Sequence, residues 1–242
     1  MGEPQTSMRA PLRRLATSVA VSAALAVVVG LAASHDAGVQ APPQVTPDLI
    51  AKFLQQYEAT PRLTVPVSGG GAAVVIVKFT DFQCPGCAVT YRAYKPVLDK
   101  YEAQFPGAIK YIVKDFPLDT SCASWMPQPL HLASCDAAVA VAEAHAQNHG
   151  AELEDWLYSN QQLLTRDTVR KVASVIGNVT DFNAGYAAAM NQVKADIGLG
   201  RLLDVNSTPT FFINGAKIAQ VLQPEYFDAA IAYELRKAGK MK

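Results

Sequence analysis

The sequence predicts an α/β fold in which a mixed sheet carries a large helical insertion. Three observations lead to this prediction. Cys84 and Cys87 lie between an apolar β-branched run and a stretch with helical spacing, as at the strand-to-helix junction of a βαβ unit. Residues 133–203 are alanine-rich with helical patterning. Strand character then returns around Asn214-Gly215, which lies between two apolar runs as in a β-hairpin.

The elements before the insertion follow from local signals. Thr46 and Pro47 predict the start of a short helix to about residue 57, because a capping hydroxyl precedes a proline at the first helical position. Residues 62–67 predict a short edge strand, since Pro66 has no N–H for a central strand. The remaining predictions are a strand buried on both faces over 72–79, a helix over 88–104 and a second strand over 109–113.

The insertion and the C-terminal part are predicted in the same way. Asp167 and Thr180 are the expected N-caps of two of the insertion helices. The helices of the insertion are expected at 133–147, 152–164, 168–176 and 181–198. The hairpin strands are expected at 210–213 and 217–221, and a final helix at 224–237.

Composition and charge exclude one class of partner. The chain has 242 residues, of which 21 are basic and 21 acidic, and half are hydrophobic. No dense basic stripe follows the N-terminus, so the sequence carries no electrostatic footprint for nucleic acid.

The N-terminus predicts a signal peptide or a membrane anchor. Arg9, Arg13 and Arg14 precede an uncharged apolar stretch over residues 15–34. Its length slightly favours an uncleaved anchor, whereas the small residues at 32–34 are compatible with cleavage. In either case the rest of the chain is expected outside the cytoplasm, where disulfides persist.

The predicted organisation therefore has three parts. Residues 1–34 form the signal peptide or membrane anchor, and residues 35–60 form a linker and a short helix. Residues 61–242 form one α/β domain, with the helical insertion at about 119–204. The late hairpin needs the earlier strands to complete a sheet, which argues against two independent domains.

Three segments together carry a family resemblance. FTDFQCPGC follows the buried strand, KDFPL ends the second strand, and STPTFFING opens the hairpin. With these motifs the chain resembles the DsbA-like branch of the thioredoxin superfamily over about residues 61–238. The resemblance implies a thioredoxin fold with a helical insertion, and thiol:disulfide exchange without a cofactor or metal.

The two cysteines of CPGC have distinct expected roles. Cys84 lies at or just before the first turn of a helix, where unpaired N–H groups and the positive dipole end stabilise a thiolate. Pro85 suits the first helical turn, and Gly86 offers no side chain to tune the pair. Cys87, one turn further and more buried, would resolve or reform the mixed disulfide.

Two further positions are read through the resemblance. Pro209 is expected to follow a cis peptide bond and to pack against the cysteines, leaving the backbone of Thr208 free to pair with an extended substrate. Lys78 departs from the family, which commonly has an acid six residues before the first cysteine. We expect the Lys78 stem to reach solvent; the alternative is a positive charge near the thiolate.

Cys122 and Cys135 are expected to form a structural disulfide. The alternative is a second redox pair that relays electrons to or from Cys84 and Cys87, as this region also resembles thioredoxin-like domains that partner VKOR-type oxidases. A metal site is not expected, because the spacing of the cysteines is not that of a zinc finger or ribbon.

The sequence therefore predicts an extracytoplasmic thiol:disulfide oxidoreductase, with the oxidase direction favoured. Its expected partners are unfolded or cysteine-containing secreted proteins, and a DsbB- or VKOR-type membrane oxidase that passes electrons to a quinone. A disulfide reductase or isomerase is the alternative within the class. Outside it, the alternatives are a metallochaperone or a peptide-binding module on the same scaffold.

Overall fold

The computed structural model describes residues 44–242 of the protein. The predicted signal or anchor segment, residues 1–34, and the first part of the linker lie outside these described residues. Residues 44–242 cluster as one unit, which includes the short helix that the sequence assigns to the linker region. Within this part of the chain, no helix combines the length and the apolarity that crossing a membrane requires.

Helices and strands alternate in the first and last parts of this unit. The helices are α1 (Pro47–Ala59), α2 (Pro85–Gln104), α3 (Ser134–Ala146), α4 (Gly150–Ser159), α5 (Arg166–Val175), α6 (Phe182–Leu202) and α7 (Pro224–Lys237), with a short 3-10 helix at Gln161–Leu163. The strands are β1 (Val74–Thr80), β2 (Ile109–Asp115), β3 (Thr210–Ile213) and β4 (Ala216–Ile218).

The four strands form a mixed sheet in the order β2-β1-β3-β4. β1 pairs in parallel with β2, with Val74 opposite Ile109, and this pair with α2 between its strands is the predicted βαβ unit. β3 runs antiparallel to β1 and to β4, and the tight turn between β3 and β4 is Asn214-Gly215, both with positive φ. The β-branched run of β1 is thus the central strand, which explains its burial on both faces.

Two apolar clusters cover the two faces of the sheet. Val77, Phe79 and Phe212 belong to a cluster that extends into helices α3 to α6 of the insertion. Ile76 and Phe211 belong to a second cluster with α1, α7 and part of α2. The predicted α/β fold with a helical insertion is therefore confirmed.

Three local predictions are wrong. Residues 62–67 do not form a strand: Arg62 makes a single antiparallel bridge with Ala216, and Pro66 lacks the N–H that a continued ladder would use. The N-caps are Thr165 and Asp181 rather than Asp167 and Thr180, because their side chains accept hydrogen bonds from backbone N–H groups two and three residues further on.

Candidate active site

The CPGC segment lies where β1 gives way to α2. Cys84 is the N-cap of α2 with an extended backbone, and Pro85 occupies the first helical turn. The Cys84 N–H donates to the Asp81 carbonyl at 3.1 Å, and the Cys87 N–H donates to the Cys84 carbonyl at 3.0 Å. The chain therefore turns sharply from strand to helix with the first thiol at the helix end.

The loop before β3 meets this helix end. The Thr208–Pro209 peptide bond is cis. The Cys84 thiol donates to the Thr208 carbonyl at 3.2 Å, although 124 residues separate them. The Thr208 hydroxyl is buried and has no hydrogen-bond partner among the described residues. The structure thus brings Cys84, Cys87, Thr208 and Pro209 together in one place.

Close packing explains why position 86 is a glycine, which the sequence alone does not reveal. A Cβ atom at this position would lie 3.1 Å from Cδ of Pro209 and 3.1 Å from Cγ2 of Val221. These contacts are tighter than ordinary van der Waals distances. The prolyl loop and the segment after β4 therefore pack directly against the backbone of the motif.

The two thiols, both free in this structure, have opposite acid–base character. A hydrogen bond from Cys87 is the main cause that lowers the pKa of Cys84 to about 6, against the opposing effect of burial. A hydrogen bond with the Cys87 backbone lowers that pKa further, and the charge of Asp81 raises it. Burial is the main cause that raises the pKa of Cys87 well above its usual value. Cys84 is 7% exposed and Cys87 is 0% exposed.

The expectation that Lys78 reaches solvent is wrong. Lys78 is 2% exposed, because it lies on the central strand β1 between two covered faces. Its ammonium donates to the Cys87 carbonyl at 3.3 Å and lies 5.3 Å from the centre of the Tyr158 ring. Burial lowers the pKa of Lys78, whereas the charges of Cys87, Glu154 and Cys84 raise it.

A second ionisable pair beside the motif escaped the sequence analysis. The Asp81 side chain is fully buried, and its Oδ2 lies 2.8 Å from Nδ1 of His131. The same carboxylate accepts hydrogen bonds from the N–H groups of Gln83 and Leu118, each at 2.7 Å. Asp81 stands within the quoted motif, but nothing local marks His131 as its partner 50 residues later.

A cavity opens beside this pair. Its volume is about 630 Å³, and its lining includes Gln83, His131 and Arg166. Leu130 and Leu132, on either side of His131 in the chain, are both largely exposed there. The His131 side chain is 20% exposed, so it contacts solvent, whereas the Asp81 side chain does not.

Cys122 and Cys135 are joined by a disulfide across 13 residues, with 6.0 Å between their Cα atoms. The bridge fastens the segment after β2 to the first turn of α3, and that segment carries His131. Among residues 44–242, no group of three or more His, Cys, Asp and Glu side chains is arranged to hold a metal ion.

The sequence is similar to one protein family and to part of a longer known protein. A family described as thioredoxin matches residues 66–232. The Na(+)/H(+) antiporter NhaA 1 of Mycobacterium sp. (strain KMS) is 28% identical over 151 residues, which are 60% of this chain. The chain spans only 22% of the length of that protein.

Solved structures show the same fold at low sequence identity. Alpha-DsbA1 of Wolbachia pipientis has a TM-score of 0.55 and 19% identity over 69% of this chain and 88% of its own. A periplasmic thioredoxin-like protein of Salmonella enterica serovar Typhimurium has a TM-score of 0.51 and 22% identity over 80% of this chain and 99% of its own.

Proposed function

Because the chain belongs to the thioredoxin family, we propose that it is a thiol:disulfide oxidoreductase in which Cys84 and Cys87 alternate between a disulfide and a dithiol. One observation carries this proposal. The two thiols lie three residues apart, at the N-cap and in the first turn of one helix, yet the pKa of Cys84 is lowered to about 6 and that of Cys87 is raised. Such a pair has one nucleophile and one resolving thiol.

The reaction begins with the Cys84–Cys87 disulfide. A client thiolate attacks the Cys84 sulfur, the bond between the cysteines breaks, and Cys87 leaves with the electron pair and takes up a proton. A second client thiolate then attacks the client sulfur of the mixed disulfide, and Cys84 leaves as a thiolate. The client loses two electrons and gains a disulfide, while the protein gains both electrons.

We favour the oxidase direction. A thiol with a low pKa is a good leaving group, and a stabilised thiolate favours the reduced form of the pair. The lowered pKa of Cys84 thus makes the disulfide form an oxidant. The buried partner, whose pKa is raised, retains its proton after the exchange.

Thr208 and Pro209 are proposed to hold the client beside Cys84. The Thr208 carbonyl lies 3.2 Å from the Cys84 sulfur, so a chain pairing with the Thr208 backbone would bring its own cysteine to the reactive atom. The Thr208 hydroxyl, which has no partner within residues 44–242, would offer a further hydrogen bond at the same point.

The proposed site of action is outside the cytoplasm. The arginines and the apolar stretch at the N-terminus, together with the disulfide between Cys122 and Cys135, favour an oxidising compartment. The clients would be unfolded or cysteine-containing secreted proteins. A membrane oxidase of the DsbB or VKOR type would accept the two electrons and pass them to a quinone. Residues 1–34 would act as a signal peptide or as a membrane anchor.

The test combines an equilibrium with a transfer reaction. The Cys84–Cys87 couple is equilibrated with glutathione, and the oxidised protein is mixed with reduced, unfolded ribonuclease. We expect a potential well above about −270 mV, the value typical of thioredoxin, and transfer of one disulfide per molecule of protein. Cys84→Ser should abolish the transfer.

Each alternative corresponds to a distinct outcome. A potential near that of thioredoxin would favour a reductase, and rearrangement of scrambled disulfides without net oxidation would favour an isomerase. Client binding that survives in Cys84→Ser, with no transfer by the unaltered protein, would indicate a binding module. Tight copper binding that depends on both thiols, again without transfer, would indicate a metallochaperone.

A further inference from the structure

Asp81 places a buried negative charge beside the two reactive cysteines. Its carbonyl accepts from the Cys84 N–H at 3.1 Å, and its own N–H points at the Cys87 sulfur at 3.5 Å. The backbone of Asp81 is therefore fixed beside both thiols, and its carboxylate is shielded from water. In such surroundings a carboxylate opposes a second negative charge, and the Asp81 charge raises the pKa of Cys84.

His131 is positioned to cancel that charge. A carboxylate only accepts hydrogen bonds, so the proton of the 2.8 Å contact must reside on Nδ1 of His131. The hydrogen bond with Asp81 is the main cause that raises the pKa of His131, and burial opposes it. The charges of Asp81, Cys84 and Asp119 raise that pKa further. The raised pKa favours the protonated, cationic form of His131 beside the Asp81 carboxylate.

Within residues 44–242, the other charged groups near the pair already have partners. Lys78 on β1 donates to the Cys87 carbonyl, and its charge acts on both thiols. Asp119 lies 3.6 Å from Arg166 of α5, and Arg166 lines the same cavity as His131. Among the described residues, His131 is the ionisable side chain that the Asp81 carboxylate contacts.

We propose that His131 is a positioning residue of the exchange reaction, whose imidazolium neutralises the buried Asp81 carboxylate and so allows Cys84 to exist as a thiolate. This inference deepens the proposed function and rests on it. His131 is held in place because its N–H and that of Leu130 donate to the Leu118 carbonyl. The Leu118 N–H in turn donates to Asp81, and the Cys122–Cys135 disulfide closes the loop that carries Leu130 and His131.

The experiment measures the pKa of Cys84 by the ultraviolet absorbance of its thiolate in the full-length reduced protein. His131→Asn retains a hydrogen-bond donor for Asp81 but no charge, and it should raise the pKa of Cys84 by about one unit. That change is a tenfold loss of thiolate at a pH well below the pKa. His145→Asn is the matched control, because His145 lies 2.9 Å from Glu154 and makes no hydrogen bond with Asp81, and it should leave the pKa of Cys84 unchanged.

Repeating the measurement in an Asp81→Asn protein distinguishes an effect of His131 through Asp81 from a direct effect of His131 on the pKa of Cys84. Asp81→Asn alone should lower the pKa of Cys84. In that background His131→Asn should have little further effect, because the charge that His131 neutralises is gone. An unchanged pKa of Cys84 in His131→Asn would overturn the proposal, and so would an equal shift with and without the Asp81 carboxylate.

The proposal stays testable if those variants fail to fold. Coupling between two titrating groups is reciprocal, so Cys84→Ser should lower the pKa of His131, measured by nuclear magnetic resonance. An identical His131 titration in the two proteins would overturn the proposal. None of these titrations requires a client, so failed disulfide transfer with an intact His131 effect would refute only the proposed function.

Discussion

Gly86 lies between the two cysteines of the motif, and its lack of a side chain has a structural role. Gly86 lets the prolyl loop and Val221 approach the motif, since a Cβ would meet both at 3.1 Å. The sequence indicated only that Gly86 adds no group to tune the cysteines. Which atoms would meet a larger residue depends on the packing of segments more than 120 residues away, and no local pattern reveals that.

Gly86→Ala is therefore expected to displace the loop that holds Thr208 beside Cys84. Overpacking of this kind costs about 1–3 kcal/mol, and the rate of exchange with glutathione disulfide should fall as well. Gly198→Ala is a suitable control, because a Cβ there has no neighbouring atom within 4 Å and the position lies in α6. Urea unfolding and exchange rates measure both effects. A Gly86→Ala protein with unchanged stability and rate would contradict the packing described here.

Lys78 shows where a sequence-based expectation failed at a single residue. Long side chains commonly extend to solvent, but the centre of β1 has no open edge or face to reach. The ammonium is held instead against the Cys87 carbonyl, which also accepts from the Thr90 hydroxyl at 3.0 Å.

Lys78→Met should slow the reaction of Cys87 without lowering the stability of the fold. The variant removes a desolvated amine, and Thr90 still satisfies the carbonyl, so the free energy of unfolding at neutral pH should stay the same or rise. The charge of Lys78 lowers the pKa of Cys87, so its loss should raise that pKa further and slow the attack of Cys87 on a mixed disulfide with glutathione. Stopped-flow measurement of that step, with urea unfolding alongside, checks both effects. A large loss of stability with an unchanged rate would contradict this account.

At the scale of elements, the segment between β2 and α3 has no regular structure of its own. It is ordered by the bonds of Leu118 and His131 with Asp81 and by the Cys122–Cys135 disulfide. The sequence indicated the disulfide but not what it holds. Local patterns identify helices and strands well, whereas a loop fastened to a distant carboxylate leaves no periodic signal.

Replacement of both Cys122 and Cys135 by serine should destabilise the fold by about 3 kcal/mol, because the bridge closes a loop of this length in the unfolded chain. The segment that holds His131 should loosen first, so the pKa of Cys84 should also rise. Urea unfolding and thiolate absorbance measure the two quantities. Full stability with abolished electron transfer would instead favour the alternative of a second redox pair.

At the scale of the whole molecule, the order of elements was predictable because each has its own signature. The buried run of β1, the Asn-Gly turn and the alanine-rich helices predicted a mixed sheet with a helical insertion, and the sheet order β2-β1-β3-β4 agrees with it. The edge strands of the sheet were less predictable. Residues 62–67 have the composition of a strand but make only one bridge, since pairing depends on a neighbour that local sequence does not specify.

The active site needed both kinds of information. The motif predicted which cysteines react, and the tertiary structure supplied the acid–base asymmetry between them through burial and the approach of Thr208. The pairing of Asp81 with His131 arises only when the insertion folds over the end of β1.

Alkylation of the protein with Cys84 and Cys87 reduced and the Cys122–Cys135 disulfide intact tests the central claim most directly. The protein is treated with iodoacetamide at a series of pH values, and mass spectrometry identifies the modified cysteine. We predict that Cys84 alone reacts, with a rate that rises through a midpoint at about pH 6, and that the buried Cys87 stays unmodified. A midpoint near the ordinary thiol value of about 8.5, or modification of Cys87 before Cys84, would contradict the account.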